Sequence, residues 1–188
     1  QFVLDLCFWI LVSAMIGSRI VFIGVEWEAD YANDPLKIFR IWEGGLVFYG
    51  GLLGAMFFSL YYTAKKGWNF LFIADTLIPS VALGQFFGRI GCLAAGCCWG
   101  DPANPDTHPA IQFPPDALAY NSMVRTGVIS PDAAATIHVH PVQLYESLGS
   151  LTIFVLLVLL RTRKLIHGMV QCGYLFLYPI LRFTNEFF

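Results

Sequence analysis

The chain alternates long apolar runs with short polar connections, a pattern that predicts helices crossing a membrane. Five apolar segments can be traced, and most approach the roughly 20 residues that a membrane helix needs. They cover about 2–25, 44–64, 70–95, 147–160 and 168–188. The fourth segment is short unless it begins near Tyr145. We therefore predict an all-α integral membrane protein, a polytopic helix bundle with five spans in this chain.

A polar stretch separates the third and fourth segments. Residues 100–142 are rich in Pro, Asp and His and are too polar to span a bilayer. We expect three parts: helices one to three in 1–99, an extramembrane arm in 100–142, and helices four and five in 143–188. Because the chain starts inside one apolar run and stops inside another, we also expect further helices on both sides.

Two basic loops predict the orientation of the bundle. They carry Lys65 and Lys66 after the second segment, and Arg161, Arg163 and Lys164 after the fourth. Lys and Arg concentrate in cytoplasmic loops. With alternating spans both loops therefore lie inside, and the arm lies outside.

Composition supports a membrane protein and excludes one class of partner. Of 188 residues, 57% are hydrophobic and only 13% are charged, and the mean hydropathy is +0.64. The formal net charge of −2 argues against a nucleic-acid partner, which requires a strongly basic surface. The lipid bilayer is the expected surrounding.

Ionisable residues inside the apolar segments are the first functional candidates, because a charge in a bilayer is costly unless it is paired or reaches water. Asp75 and Glu186 qualify, as do three arginines: Arg19, Arg89 and Arg182. At about 1.5 Å per residue, the arginines fall in the outer halves of segments one, three and five. We predict that they lie at one level of the bilayer.

Helical spacing groups these charges into polar stripes. Gln85, Arg89 and Cys92 share one helix face, and so do Tyr178, Arg182 and Glu186. One interpretation is that Arg182 pairs with Glu186 within its helix, while Arg19 extends to the interface. The alternative is a site for an anionic lipid head group, since a guanidinium can donate two hydrogen bonds to a phosphate.

Five cysteines allow several interpretations. Cys7 and Cys172 lie in apolar segments and are most simply packing residues. Cys92, Cys97 and Cys98 cluster at the end of segment three, where a disulfide, a thiol nucleophile or a metal site with His108, His138 or His140 is conceivable. Their spacing is not a standard zinc pattern, so we predict no metal.

Ordered motifs run along the whole chain: GSRI at 17–20, DPL at 34–36, WEGGLVFYGG at 42–51, GRIG at 88–91 and HPVQLYE at 140–146. Beside them stand Asp75, Gly96, Trp99-Gly100, Tyr178, Arg182 and Glu186. In these motifs and residues the chain resembles the bacterial prolipoprotein diacylglyceryl transferases.

The resemblance implies a seven-helix bundle of the bacterial inner membrane. Members of this family transfer the diacylglyceryl group of phosphatidylglycerol to the lipobox cysteine thiol of preprolipoproteins, the first step of lipoprotein maturation. The implied partners are phosphatidylglycerol and preprolipoprotein signal peptides. No cofactor and no metal are implied.

Candidate roles follow for individual residues. The resemblance implies that Arg89 and Arg182 hold the phosphate and that Tyr178 and Glu186 orient Arg182. Substrate-binding candidates are Arg19, Gly44, Gly45, Gly50, Gly51, Gln143, Tyr145, Glu146, Tyr178 and Glu186. The other catalytic candidates are Tyr49 and His140, of which His140 is the better base because a phenol is a poor base at neutral pH.

Three departures from the family pattern keep other functions open. Tyr49, Cys92 and Cys97 stand where the family usually has His, Asn and Glu. The alternative function is a catalytically divergent relative that binds lipid or serves as an accessory subunit among other membrane subunits. Ion or solute transport is a third hypothesis, although outer-level charges fit a head-group site better than a midplane site.

Overall fold

The computed structural model describes residues 2–26, 38, 45, 47–163 and 166–188. These residues form helices and connecting segments; apart from two isolated bridges, the described parts contain no strand. In chain order the helices are α1 (Phe2–Val25), α2 (Phe48–Lys65), α3 (Phe70–Ala95), α4 (Leu118–Arg125), α5 (Val142–Thr162) and α6 (Met169–Asn185). The prediction of an all-α protein is confirmed.

Three of these helices are long and apolar enough to cross a membrane: α1, α3 and α5. The prediction of five spans is therefore too high, because only three of the described helices meet this requirement for length and hydropathy. The other two predicted spans form shorter helices, α2 with 18 residues and α6 with 17. Many large apolar side chains are exposed, among them Leu4 and Leu11 on α1 and Leu159 on α5. Such surfaces suit contact with lipid.

The chain divides into two compact units, residues 1–73 and 74–188. In the first unit α1 packs against α2 through small residues. A side chain added at Gly50 would overlap the Gly17 carbonyl oxygen, and one at Gly54 would overlap the Ser13 carbonyl oxygen. Since the partner moves back along α1 as the position moves forward along α2, the two helices run antiparallel. Only glycine permits so close a backbone approach.

In the second unit α5 packs against α6 and contacts α3. Buried Ala82 of α3, Ile153 and Leu157 of α5 and Val170 of α6 form one apolar cluster. Apolar packing alone adds little between helices in lipid, because lipid tails are equally apolar. Polar contacts between the helices are therefore the informative ones.

One such contact caps α6. Asp75 lies in α3 and is buried, and its carboxylate accepts hydrogen bonds from the backbone N–H groups of Gly168 at 2.6 Å and Gln171 at 2.9 Å. Gly168 is the N-cap residue of α6 and has a φ of 93°, which favours glycine. A carboxylate at a helix N-terminus satisfies unpaired donors and complements the helix dipole. The structure thus gives this intramembrane candidate a structural role.

The polar stretch 100–142 contains a small core of its own. Helix α4 contributes Ala119 and Met123, which pack with Phe113 and Val139. Val139 also forms antiparallel bridges with Pro102 and Ile111. The segment is therefore folded rather than extended, and its position outside the membrane stays a prediction.

Candidate functional site

A buried carboxylate on α5 joins two of the predicted arginines. The Glu146 side chain is only 4% exposed, and its Oε1 lies 2.8 Å from Nη2 of Arg89 on α3. Its Oε2 lies 3.4 Å from Nη1 of Arg182 on α6. Three helices of the second unit thus meet at one carboxylate. Charge-assisted hydrogen bonds of this kind are about twice as strong as neutral ones.

Two further side chains complete what we call the Glu146 cluster: Arg89, Glu146, Tyr178, Arg182 and Asn185. The Tyr178 hydroxyl donates to Oε1 of Glu146 at 3.4 Å. The Asn185 amide lies 3.5 Å from Oε2 and 3.4 Å from the Val142 carbonyl oxygen. The carboxylate therefore has contacts on both oxygen atoms, as a buried charge requires.

Arg182 differs in detail from its expected surroundings. Glu186 does pair with it, at 3.2 Å across one helical turn. The hydroxyl of Tyr178, which the resemblance implied would orient Arg182, instead donates to Glu146. Both arginines thus meet through Glu146, which makes this carboxylate the centre of the cluster. From the sequence, Glu146 was predicted only as one of the substrate-binding residues.

Asn185 is the residue of this cluster that sequence analysis missed. It lies seven residues after Tyr178 and three after Arg182, so helical spacing places all three on one face of α6. That spacing was the available signal. An amide near the chain end carries no charge, and for that reason it did not stand out among the intramembrane candidates.

The cluster keeps its positive character. The Arg89 side chain is 26% exposed and that of Arg182 is 52% exposed. Two guanidinium groups face one buried carboxylate, and Glu186 is 69% exposed, so solvent weakens its contribution. The ion pairs occupy one nitrogen of Arg89 and two of Arg182, whereas each guanidinium has five N–H donors. The arrangement can therefore bind an anion.

The α5 N-terminus brings Gln143 into the same unit. Gln143 is almost fully buried, and its Nε2 donates to the Cys97 carbonyl oxygen at 2.7 Å. Its Oε1 has no hydrogen-bond partner among the described residues. The residue thus ties α5 to the loop after α3, while its predicted contact with substrate stays a prediction.

His140 lies in a group of aromatic rings just before α5. Its ring centroid is 5.4 Å from that of Phe188, 5.5 Å from that of His108 and 6.4 Å from that of Tyr145. His140 is buried, and its Nδ1 lacks a hydrogen-bond partner within the described part of the chain. A neutral imidazole nitrogen can accept a proton, which is compatible with the predicted role of His140 as a base. That role stays a prediction.

Arg19 belongs to the first unit and is 8% exposed. Its guanidinium donates to the carbonyl oxygens of Ile38 at 3.3 Å and Gly45 at 3.2 Å, and it lies over the Phe22 ring at 5.8 Å. Arg19 therefore holds Ile38 and Gly45, two described residues between α1 and α2, by hydrogen bonds to their backbone. The common level predicted for the three arginines stays a prediction.

The remaining predicted residues of the first unit lie on or before α2. Gly50 and Gly51 face α1, and Gly45 has a φ of 79° beside Phe22 and Arg19. Tyr49 is exposed and packs edge-on against Phe48. Gly44 lies outside the described residues. The predicted substrate contacts of these glycines and the catalytic role of Tyr49 stay predictions.

The three neighbouring cysteines meet at the end of α3. The chain reverses at Gly96, whose φ is 64°, with hydrogen bonds from Gly96 N to Leu93 O and from Cys97 N to Cys92 O. This pair of bonds is the Schellman motif, which commonly ends helices. The three sulfur atoms lie within 4.8 Å of one another. The histidines considered as metal ligands are not in this group, as far as the described residues extend.

Burial changes the chemistry of one of these thiols. Removal from water, followed by hydrogen bonds with Cys92 and Cys98, raises the pKa of the Cys97 thiol to about 11. Cys97 is therefore protonated at neutral pH and is a weak nucleophile in its own right. A nucleophilic role for Cys97 is disfavoured.

The chain is similar to known proteins along its whole length. The family model for prolipoprotein diacylglyceryl transferase matches residues 1–188. The chain is 33% identical to phosphatidylglycerol--prolipoprotein diacylglyceryl transferase 2 of Clostridium perfringens, over 94% of this chain and 62% of that protein. It is 31% identical to the Lysinibacillus sphaericus enzyme of the same name, over 99% of this chain and 64% of that protein.

A third relative, the Finegoldia magna phosphatidylglycerol--prolipoprotein diacylglyceryl transferase, is 33% identical over 98% of this chain and 65% of its own length. The chain thus spans somewhat less than two thirds of these relatives. Since the family model covers every residue of the chain, the chain belongs to the prolipoprotein diacylglyceryl transferase family.

Proposed function

We propose that this chain carries the phosphate-binding part of an enzyme that transfers the diacylglyceryl group of phosphatidylglycerol to the lipobox cysteine of preprolipoproteins. In this reaction the cysteine sulfur forms a bond to the glycerol carbon of the diacylglyceryl group. The bond from that carbon to the phosphate oxygen breaks, and glycerol phosphate leaves with the electron pair. The thiol proton must pass to a base.

The observation that carries the proposal is the convergence of Arg89 and Arg182 on Glu146. Negative charge on the phosphate group increases as it leaves, and fixed cations stabilise such charge best when they need no rearrangement. The buried carboxylate of Glu146 holds both guanidinium groups in place by ion pairs. Arginine also offers a planar pair of donors that matches two phosphate oxygens.

The other roles are assigned around this centre. Tyr178 and Asn185 position Glu146, and Glu186 positions Arg182. His140 is the proposed base, because its buried Nδ1 lacks a partner among the described residues. Each assignment is a separate proposal and can fail without the others.

We place the protein in the bacterial inner membrane with the arm on the periplasmic side. Lys65 ends α2 and Lys66 follows it, while Arg161 lies in the last turn of α5 and Arg163 directly follows that helix, so these basic ends would face the cytoplasm. Single cysteines introduced at Lys66 and at Asp132 of the arm, in a variant whose five native cysteines are replaced by serine, test this orientation. An impermeant maleimide added to intact cells with a permeable outer membrane should label the Asp132 position alone; labelling of the Lys66 position alone would reverse the orientation.

The function is tested by complementation of a bacterium depleted of its own diacylglyceryl transferase. The full-length protein should restore growth and the mobility shift of a reporter lipoprotein. Arg89→Ala and Arg182→Ala should abolish both, whereas Arg125→Ala, an exposed arginine on α4, should retain them. Arg89→Lys should rescue poorly, because lysine lacks the planar pair of donors.

Two results would contradict the proposal. If Arg89→Ala rescued as well as the unchanged protein, the phosphate-binding role would be wrong. If the unchanged protein failed to rescue despite its presence in the membrane by immunoblot, transferase activity would be wrong. A lipid-binding relative within a larger membrane complex would then be the better function.

A further inference from the structure

The cysteines at the end of α3 have no role in the proposed transfer, and yet the fold holds them together. Cys92 is in the last turns of α3, and the Schellman turn at Gly96 returns Cys97 towards it. Cys98 has a φ of 57°, a left-handed backbone conformation that residues other than glycine rarely adopt. Its sulfur lies 3.8 Å from that of Cys97. A strained residue at this point needs a compensating role.

The loop is fixed from three directions. The Cys97 carbonyl oxygen accepts from Gln143 of α5 at 2.7 Å, and the Gly96 carbonyl oxygen accepts from the Ala119 N–H of α4 at 2.8 Å. The Gly100 N–H donates to the His140 carbonyl oxygen at 3.2 Å. Because separate elements hold the backbone on either side of the thiols, their grouping does not depend on one flexible side chain.

We propose that Cys92, Cys97 and Cys98 bind one thiophilic metal ion of the zinc or cuprous class. Zinc–sulfur bonds of about 2.3 Å place bound sulfur atoms about 3.8–4.0 Å apart in tetrahedral or trigonal geometry. The observed sulfur atoms all lie within 4.8 Å of one another, so small side-chain rotations complete the site. Thiolate ligands select these soft ions over magnesium or calcium.

Charge and access fit this site as well. Binding a metal ion displaces the thiol protons, so three thiolates and one divalent ion carry one net negative charge. Arg89 lies three residues before Cys92 on the same face of α3, so a cation is close by to balance that charge. Cys98 is exposed, which gives an ion a path of entry and leaves a further coordination position for water.

The first experiment is a cobalt titration of the reduced, full-length protein in detergent. Co²⁺ bound to thiolates gives a sulfur-to-metal charge-transfer band, which should saturate at one ion per chain and disappear when Zn²⁺ is added. Cys92→Ser, Cys97→Ser and Cys98→Ser should each weaken binding by more than the roughly 10–100-fold loss caused by removing an outer-shell partner. Cys7→Ser and Cys172→Ser are the matched controls and should leave the band unchanged.

A second measurement needs no substitution, and therefore does not depend on the folding of variants. Zn²⁺ should protect Cys92 and Cys98 of the unchanged protein from alkylation by N-ethylmaleimide, while exposed Cys172 continues to react. Mass spectrometry of the peptides identifies each site. Neither measurement uses transferase activity, so the metal site and the proposed function can fail separately.

Three outcomes would overturn the metal site. The unchanged protein could show no thiolate-to-cobalt band, or the band could persist when all three cysteines are replaced by serine. The third outcome is a disulfide between two of the three in protein purified without reductant, together with no Co²⁺ binding after reduction. That result would identify a redox pair in place of a metal site.

Discussion

The two units of this protein hold their helices together by different means. In the first unit α1 and α2 approach through Gly17, Gly50 and Gly54, with backbone against backbone. In the second unit α3, α5 and α6 meet at the buried side chain of Glu146 and its arginine partners. Both kinds of contact can hold helices together in lipid, where the hydrophobic effect does not drive helix association. The candidate chemistry therefore lies in the second unit, where polar side chains join the helices.

The largest expected effect comes from removing the charge at the centre of the second unit. Glu146→Gln leaves Arg89 and Arg182 without their shared carboxylate, and breaking a fully buried ion pair costs about 3–5 kcal/mol. Because the two arginine side chains are 26% and 52% exposed, we expect a smaller fall in the free energy of unfolding in detergent, of about 2–3 kcal/mol. Glu186→Gln, at an exposed carboxylate, should change it by less than about 1 kcal/mol. Equal effects would remove the distinction between the two carboxylates.

The next effect tests the backbone contact of the first unit. Gly50→Ala places a Cβ against the Gly17 carbonyl oxygen and Val21, and overpacking typically costs about 1–3 kcal/mol. Gly24→Ala is the control on α1, because an added Cβ there meets no atom of the described residues within 4 Å. It should leave the protein unchanged or up to about 1 kcal/mol more stable, since alanine favours a helix. Thermal unfolding measures the stability of both variants. If Gly50→Ala were as stable as the unchanged protein, the close contact between α1 and α2 would be wrong.

A smaller effect is expected from removing the Asp75 carboxylate that caps α6 in the second unit. Asp75→Ala removes the acceptor for the Gly168 and Gln171 N–H groups, and loss of a helix cap costs about 0.5–2 kcal/mol. Hydrogen exchange at these two amides should quicken accordingly. Asp5→Asn, at an exposed position in the first turn of α1, should stay within about 0.5 kcal/mol. Unchanged exchange in Asp75→Ala would show that α6 does not need this cap.

The smallest effect concerns how the alkylation rate of one thiol in the second unit, that of Cys97, depends on pH. Because burial raises the pKa of Cys97 to about 11, the reactive thiolate fraction should increase about tenfold per pH unit between pH 8 and 10. Alkylation of metal-free protein, followed at the Cys97 peptide by mass spectrometry, should therefore accelerate throughout this range. A rate that levels off by pH 9 would show that Cys97 is less shielded from water. Cys97→Ser confirms the peptide assignment.

Much of the fold was predictable because apolar length is a local property. The predicted segments about 2–25 and 70–95 coincide with α1 and α3, since a run of apolar residues satisfies its backbone as a helix wherever it lies in a membrane. The fourth segment was predicted too short. Helix α5 begins at Val142 and includes the polar residues Gln143 and Glu146, which hydropathy counts against a span.

The site was predictable in part for a related reason. A charge in an apolar segment is expensive wherever its partner lies, so Arg89, Arg182 and Asp75 could be singled out one by one. The spacing within a helix also indicated the pair of Arg182 and Glu186. What spacing cannot provide is a partner on another helix, because nothing in the local sequence relates residue 89 to residue 146.

The sequence by itself determined the helical membrane class, the family motifs and the identity of the buried charges, since these depend on composition and on residues close along the chain. Only the tertiary structure decided which charges meet. It gave Glu146 two arginines, assigned Asp75 to the N-terminus of α6 and brought three thiols within 4.8 Å of one another. Such contacts arise from the packing of helices that are distant in sequence, and that packing is set by the whole chain.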